Sequence, residues 1–270
     1  MSDNMMKSKM NGYISLLTLF TTSFLMLPAK SADNDLKSVG QSVVNAYSDS
    51  VLYVAMTIEV QISVATQNQT TEGAVEVLGT VLNADGLIAV SNSAVDLSNQ
   101  VREQLSRQVP AGTEIKVDSS VKSSKIIMPD GSEVDAEVVL QDADLDFAFL
   151  QAVASEDDDP LPVFLPAPID SKASRLQSLD DIILLGRLSK SLNRAASVRA
   201  GRIESVIRRP RLLYRADLSG LGQPVFDKQG GLVGMFVRQT TGENAGSLII
   251  RPVKDLLKIS SQIGEGQAEK

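Results

Sequence analysis

The side chains in this chain that could do covalent chemistry are the hydroxyls of Ser91, Ser93 and Ser219 and the carboxylates of Asp142, Asp144 and Asp146, and none of them has an imidazole to work with, because the 270 residues include no histidine. A serine attacks a carbonyl only after a base with a pKa near the working pH takes its proton. Each of the three serines would therefore need a lysine or carboxylate base, and the sequence places none beside them. Asp142, Asp144 and Asp146 alternate as in a calcium loop, but Phe147 stands where the sharp-turn glycine belongs and Val153 where the bidentate glutamate belongs. They are expected on one edge of a strand entry, with no metal. Cysteine is absent too, which excludes disulfides, thiolate nucleophiles, zinc thiolates and iron–sulfur ligation. No cofactor is expected.

The elements that must carry these groups read as short runs rich in β-branched residues, broken by turn signals. In the first half they are Val51 to Val64, Ala74 to Leu82, Leu87 to Val90, Ile115 to Val117, Lys125 to Met128, Glu133 to Leu140 and Phe147 to Val153. Asn83-Ala84-Asp85-Gly86 and Pro129-Asp130-Gly131 are hairpin-type turns whose glycines supply positive φ. Leu36, Val39, Val43 and Val44 predict a short amphipathic helix over Asn34 to Asn45, and Leu97, Val101, Leu105 and Gln108 predict an inserted surface helix over Asp96 to Gln108. Glu156-Asp157-Asp158-Asp159 with Pro160, Pro162, Pro166 and Pro168 reads as an acidic, proline-punctuated linker, since neither helix nor inner strand tolerates it. A second β set follows at Ile182 to Leu185, Ala200 to Ile207, Leu212 to Tyr214, Pro224 to Phe226, Leu232 to Val237 and Ser247 to Ile250, and Val253 to Ile263 closes the chain as an amphipathic helix. Two β units joined by a linker predict an all-β double barrel. The expected divisions are an N-terminal helical segment at 32–50, a first barrel at 51–155, the linker at 156–172, a second barrel with the C-terminal helix at 173–263, and a tail at 264–270.

A formal net charge of -7 repels nucleic-acid phosphates, so no nucleic-acid partner is expected. Lys7 and Lys9 precede an apolar run from Tyr13 to Leu27 and the small residues around Ala29, Ser31 and Ala32, which is the pattern of a signal peptide over 1–31 cut after Ser31. The mature chain is then exported, periplasmic or secreted. The alternative is an uncleaved anchor, for which the run is short against the roughly 20 residues of a membrane-spanning helix; membrane contact would come only through that leader. Asn68-Gln69-Thr70 fits a glycosylation sequon, which matters only in a eukaryotic secretory host. Arg187, Lys190, Arg194, Arg199, Arg202, Arg208, Arg209, Arg211 and Arg215 crowd the second unit. They read either as complementary packing against the acidic first unit or as a basic surface for an acidic protein or anionic envelope polymer.

Four segments together resemble the protease domain of the HtrA/Deg group of trypsin-like serine proteases. The stretch Gly79-Thr80-Val81-Leu82-Asn83-Ala84-Asp85-Gly86-Leu87-Ile88-Ala89-Val90-Ser91-Asn92-Ser93-Ala94-Val95 is similar to the strand-turn-strand that leads into the family's catalytic histidine, and Ser93 stands at that position. Pro129-Asp130-Gly131 through Leu145-Asp146-Phe147 resembles the segment ending in the catalytic aspartate, matched by Asp146. Asp180 to Gly186 and Ala200-Gly201-Arg202-Ile203 resemble the early strands of the second barrel. Ser219-Gly220-Leu221-Gly222-Gln223-Pro224-Val225, with Gly231-Leu232-Val233-Gly234 behind it, is similar to the nucleophile loop, and Leu221 occupies the nucleophile position. The likeness runs over about residues 35 to 262, and the chain ends where the PDZ module of many relatives would begin, so the resemblance implies a protease-like domain without one.

The resemblance implies a triad reduced to Ser93, Asp146 and Leu221. In the Ser-His-Asp mechanism histidine is the base and serine the nucleophile; neither Ser93 nor Leu221 can fill those roles. Ser219 and Gln223 replace glycines beside Gly220 and Gly222, so the oxyanion loop is expected to be degenerate. Asp146 reads either as a surviving triad carboxylate or as an acceptor for backbone N–H groups or the Ser93 hydroxyl. The expected function is an exported trypsin-fold pseudoprotease that binds peptide or an envelope protein without cleaving it, and not an enzyme. The alternatives are a weakly active serine hydrolase with a non-standard nucleophile, or a structural subunit pairing with an active paralogue or with its own copies.

Overall fold

The computed structural model describes residues 32–65, 67–154, 160–169, 175–242 and 245–267. The leader over 1–31 and the acidic run Glu156 to Asp159 lie outside the described residues.

A helix α1 (Ala32–Tyr47) leads through a 3-10 turn into β1 (Val51–Val64), where the sequence alternates strictly: Leu52, Val54, Met56, Ile58 and Val60 point inward while Ala55, Thr57 and Glu59 stay at the surface. The first barrel adds β2 (Gln67–Val81), β3 (Leu87–Ser91), β4 (Ile115–Ile127), β5 (Glu133–Asp142) and β6 (Phe147–Ala152), and closes in the order β1-β2-β3-β6-β5-β4. The β2–β3 turn is set by Asn83, whose Oδ1 accepts the N–H groups of Asp85 (3.1 Å) and Leu87 (2.9 Å). Gly86 in that turn has φ +84°, and a Cβ there would strike Ala152 and Phe164. Between β3 and β4 lies α2 (Ser98–Ser106), whose Val101 and Leu105 pack onto the first barrel's core.

The second barrel comprises β7 (Asp181–Arg187), β8 (Ala196–Ile207), β9 (Leu213–Ala216), β10 (Pro224–Asp227), β11 (Leu232–Arg238) and β12 (Leu248–Pro252), closed as β10-β11-β12-β9-β8-β7, and α3 (Val253–Gln267) follows. The fold is therefore mostly β, a double six-stranded barrel with helices at both ends, as the sequence pattern predicts. Each barrel has its own core, and a third cluster fills the seam: Ala89, Phe147 and Phe149 from the first barrel meet Met235, Val237 and Ile249 from the second under Leu256 and Ile259 of α3. The proline-rich segment at 160–169 carries no helix or strand; Phe164 plugs into the first core while its neighbours Val163 and Leu165 are exposed.

Two strand readings are corrected. The runs expected at Ile115 to Val117 and Lys125 to Met128 form one strand, β4, because its serine-rich middle pairs with β1 all the way from Ile115 to Ile127. Strand β2 starts at Gln67 and not near Ala74, since polar Gln67 to Gly73 pair with Val64 to Ile58 of β1. In both cases a tertiary partner overrides weak local propensity.

The basic second unit divides. Arg187 is buried and crosses to the start of the first barrel, donating to the carbonyls of Val51 and Ser48 and to Asp49 Oδ1 at 2.7 Å. Arg194 lies over the Tyr53 ring (5.3 Å) and holds both Glu76 oxygens at 2.8 and 2.9 Å. Lys190, Arg199, Arg202, Arg208, Arg209, Arg211 and Arg215 are exposed. Because Arg187 satisfies several carbonyls that truncation would orphan, Arg187→Met is expected to cost about 3 kcal/mol of stability. The measurement is a lower denaturant midpoint, with Arg187→Lys recovering part of the loss.

Candidate functional site

Asp146 ends the β5–β6 turn with φ +62°, and its side chain is fully buried. Its carboxylate collects donors from both barrels. Oδ1 accepts the Ser93 N–H (2.6 Å), and Oδ2 accepts the Arg238 N–H (2.6 Å), the Ser93 hydroxyl (3.3 Å) and the Ser91 hydroxyl. The two serine hydroxyls also meet at 2.9 Å, and the Asp146 carbonyl accepts the Asn92 N–H (3.0 Å). Ser91 ends β3 and Ser93 sits in the 3-10 turn Asn92–Ala94 that follows, so one short turn presents both hydroxyls to one carboxylate. Next door, the Thr240 hydroxyl donates to the Asp144 carbonyl at 3.2 Å, stitching the same turn to the end of β11.

The loop expected to carry the nucleophile lies across the seam. Gly222 has φ +76°, donates its N–H to the Phe236 carbonyl (2.9 Å) and accepts the Thr80 hydroxyl on its own carbonyl (3.1 Å). A Cβ at Gly222 would run into the Leu78 carbonyl, so this close approach of the two barrels demands glycine. Gln223 lays its amide against Gly186 and Gly220, where any Cβ would collide with it, and its N–H donates to the Gly220 carbonyl (3.0 Å). Ser219 is exposed and its carbonyl accepts from Arg199. Leu221 is half-buried and lines a cavity of about 250 Å³ with Tyr53, Glu76, Leu78, Ser91 and Ala94. A second cavity of about 360 Å³ borders Asp146, walled also by Ser93, Arg102, Arg238 and Thr240.

The structure thus brings Ser93 and Asp146 into direct contact and sets Leu221 beside Ser91. The acceptor reading of Asp146 is the one seen, with bonds from the Ser93 N–H and hydroxyl, and Ser91 joins them. A carboxylate's pKa lies far below that of a serine hydroxyl, so Asp146 accepts hydrogen bonds from these groups without drawing off their protons. Asp142 caps its own turn by accepting the Leu145 N–H (2.8 Å), and among the described residues no three carboxylates cluster as a metal site would require. The role of Ser91 was missed in the sequence. The available signal was a serine closing a fully buried strand, which must find an acceptor.

The sequence matches the family model of the trypsin-like peptidase domain over residues 78–235. This chain belongs to that family. Its fold is similar to that of an HtrA-type protease, AlgW, solved with a decapeptide; the TM-score is 0.54 at 15% identity, covering 84% of this chain and 67% of that one. No curated protein matches the sequence. Within the trypsin-like frame, the match takes in β3, the Asp146 turn and the loop from Ser219 to Gln223, so all three triad-matching positions fall inside it.

Burial pushes the Asp146 carboxyl above the ordinary aspartate value, against the pull of its donors. The folded state then holds this proton more tightly than the unfolded one. The carboxyl's contribution to stability is fullest below the unfolded value of about 3.9 and declines as pH rises through the raised folded value. Denaturant unfolding of the wild type and Asp146→Asn should show a stability difference, wild type minus variant, that grows on acidification and levels off below the unfolded value. A difference that shrinks on acidification would show that the donors outweigh burial.

Proposed function

We propose that this trypsin-like chain is an exported pseudoprotease that binds an extended polypeptide or an envelope protein without cutting it. The observation that carries the reading is the cavity beside Ser91, in which the Leu221 side chain stands at the nucleophile-matching position. An isobutyl group has no oxygen to attack a carbonyl, but it makes an apolar wall. With Val77, Leu78, Ala94 and the Tyr53 ring it offers a pocket sized for one side chain of a bound segment. The saturated carboxylate of Asp146 supports the same reading, because its acceptor capacity is committed to Ser91, Ser93 and Arg238. The leader pattern over 1–31 supports export, and the decapeptide bound by the HtrA-type protease of similar fold is a precedent for an extended ligand.

The test is titration of the purified protein with a fluorescently labelled, permanently unfolded polypeptide. Saturable binding is expected, with no fragments on prolonged incubation and no serine labelled by a fluorophosphonate. Leu221→Asp should weaken binding at least about tenfold by replacing the pocket's apolar wall with a second carboxylate beside Glu76. Ser93→His should leave proteolysis undetectable, since Leu221 still lacks a nucleophilic oxygen. Cleavage by that single variant, or probe labelling of a defined serine in the wild type, would overturn the reading.

A further inference from the structure

The hairpin β1–β2 and strand β4 run beyond the barrel as a three-stranded arm, and its two edges are treated in opposite ways. On the β4 side the edge is guarded. Its ladder with β1 is broken by a register shift at Thr57/Ile58, it carries Lys116, Asp118 and Lys122, and α2 lies over it, with the Ser119 hydroxyl accepting the Leu97 N–H (3.2 Å) and Arg102 donating to the Val117 carbonyl (3.4 Å). Bulges, charges and covering helices are the ordinary means of stopping one sheet from pairing with another.

The β2 edge has no bulge and no covering helix, and its one charge between Gln67 and Val75 is Glu72. Its register with β1 is unbroken, β3 pairs with it only at Thr80 and Val81, and every residue from Gln67 to Ala74 is exposed. Among the described residues nothing pairs with that outer edge upstream of Thr80. The sequence Gln67-Asn68-Gln69-Thr70-Thr71-Glu72-Gly73-Ala74-Val75 holds no proline, lysine or arginine. Alternate residues must therefore aim backbone N–H and C=O groups outward, a template for another strand.

We propose that this edge pairs antiparallel with the same edge of a second copy of the chain, about a two-fold axis at Thr71. A two-fold relation between neighbouring antiparallel strands runs perpendicular to the sheet and keeps each face on its own side, so a residue must sit opposite itself or one of the same parity. Centring on Thr71 meets that condition and sets Thr71 of one copy against Thr71 of the other, a favourable hydroxyl pair. Thr70 of one copy then faces Glu72 of the other, Gln69 faces Gly73 and Gln67 faces Val75. The strand's one acidic side chain in this stretch, Glu72, is kept from meeting itself. The face bearing Ile58, Val60 and Ile62, which register with Gly73, Thr71 and Gln69, continues across the junction on one side. Because symmetry makes every contact twice, the same strand is the partner that fits. A single strand edge is smaller than the roughly 1,200–2,000 Å² of a standard stable interface, so the dimer depends on concentration.

The absence of cysteine makes the test clean. Sedimentation of the full chain over increasing concentration should show a monomer–dimer equilibrium that Thr71→Lys shifts at least tenfold toward monomer and Asp118→Lys, on the guarded edge, leaves unchanged; circular dichroism checks that both remain folded. Thr71→Cys should give a reducible disulfide dimer on mild oxidation, and Asp118→Cys should not. Monomer at every concentration, or a dimer indifferent to Thr71→Lys, overturns the proposal. Capture of an added strand-forming, cysteine-containing peptide by Cys-substituted Thr71 in a chain that stays monomeric also overturns it, in favour of a foreign strand.

Discussion

The carboxylate of Asp146 joins the two barrels through hydrogen bonds from both. It sits at the end of a turn in the first barrel and takes the Arg238 N–H from the last residue of β11 in the second. A fully buried carboxylate is tolerated only when its oxygens are filled, and here the filling groups come from two separate pieces of chain, the Ser91–Ser93 turn and the end of β11. The positions of β3, the β5–β6 turn and β11 are thereby fixed relative to one another. The apolar seam of Phe147, Phe149, Met235 and Val237 is built from the same strands, so the polar joint and the apolar joint share one alignment.

Around that joint the close approaches follow. Gly222 can touch Leu78 only because β11 holds its N–H through the Phe236 carbonyl while Thr80 of the first barrel holds its carbonyl. On the far side, Arg187 and Arg194 reach from the second barrel to Asp49 and Glu76 of the first. These are charge-assisted contacts to a partly exposed acid, and the larger part of Arg187's work is satisfying carbonyls at the entry to β1. Two of the nine basic residues between Arg187 and Arg215 are thus committed to packing, and the exposed remainder is spread over β8, β9 and the connections that flank them.

The apolar strands are legible in the sequence: β1 alternates and matches its expected bounds to the residue, while β3, β6, β10 and β11 are almost continuously buried runs that match to within one or two. Burial on one face leaves a period of two, and burial on both leaves a short apolar run bounded by turn signals. The distal part of β2 and the middle of β4 were not legible, because both faces there are polar or exposed and only pairing with β1 makes them strands. At the candidate site the contact between Asp146 and the Ser93 hydroxyl could be read from the family resemblance. Arg238 could not. It contributes a main-chain N–H, and no side-chain pattern announces which amide will face a buried oxygen.

That distinction also explains how the fold accommodates serine at position 93. Two of the donors to Asp146, the N–H groups of Ser93 and Arg238, belong to the backbone and would be present whatever side chain stood there. On the side-chain side the carboxylate is met by two hydroxyls, Ser91 and the neighbouring Ser93, whose oxygens lie 2.9 Å apart. The carboxylate therefore keeps its oxygens filled without histidine, and the donors the double barrel provides offset part of its desolvation, which still holds its pKa above the ordinary value. A chain without histidine can keep this buried aspartate, because half of its donors are main-chain N–H groups held by the strands and the turn themselves.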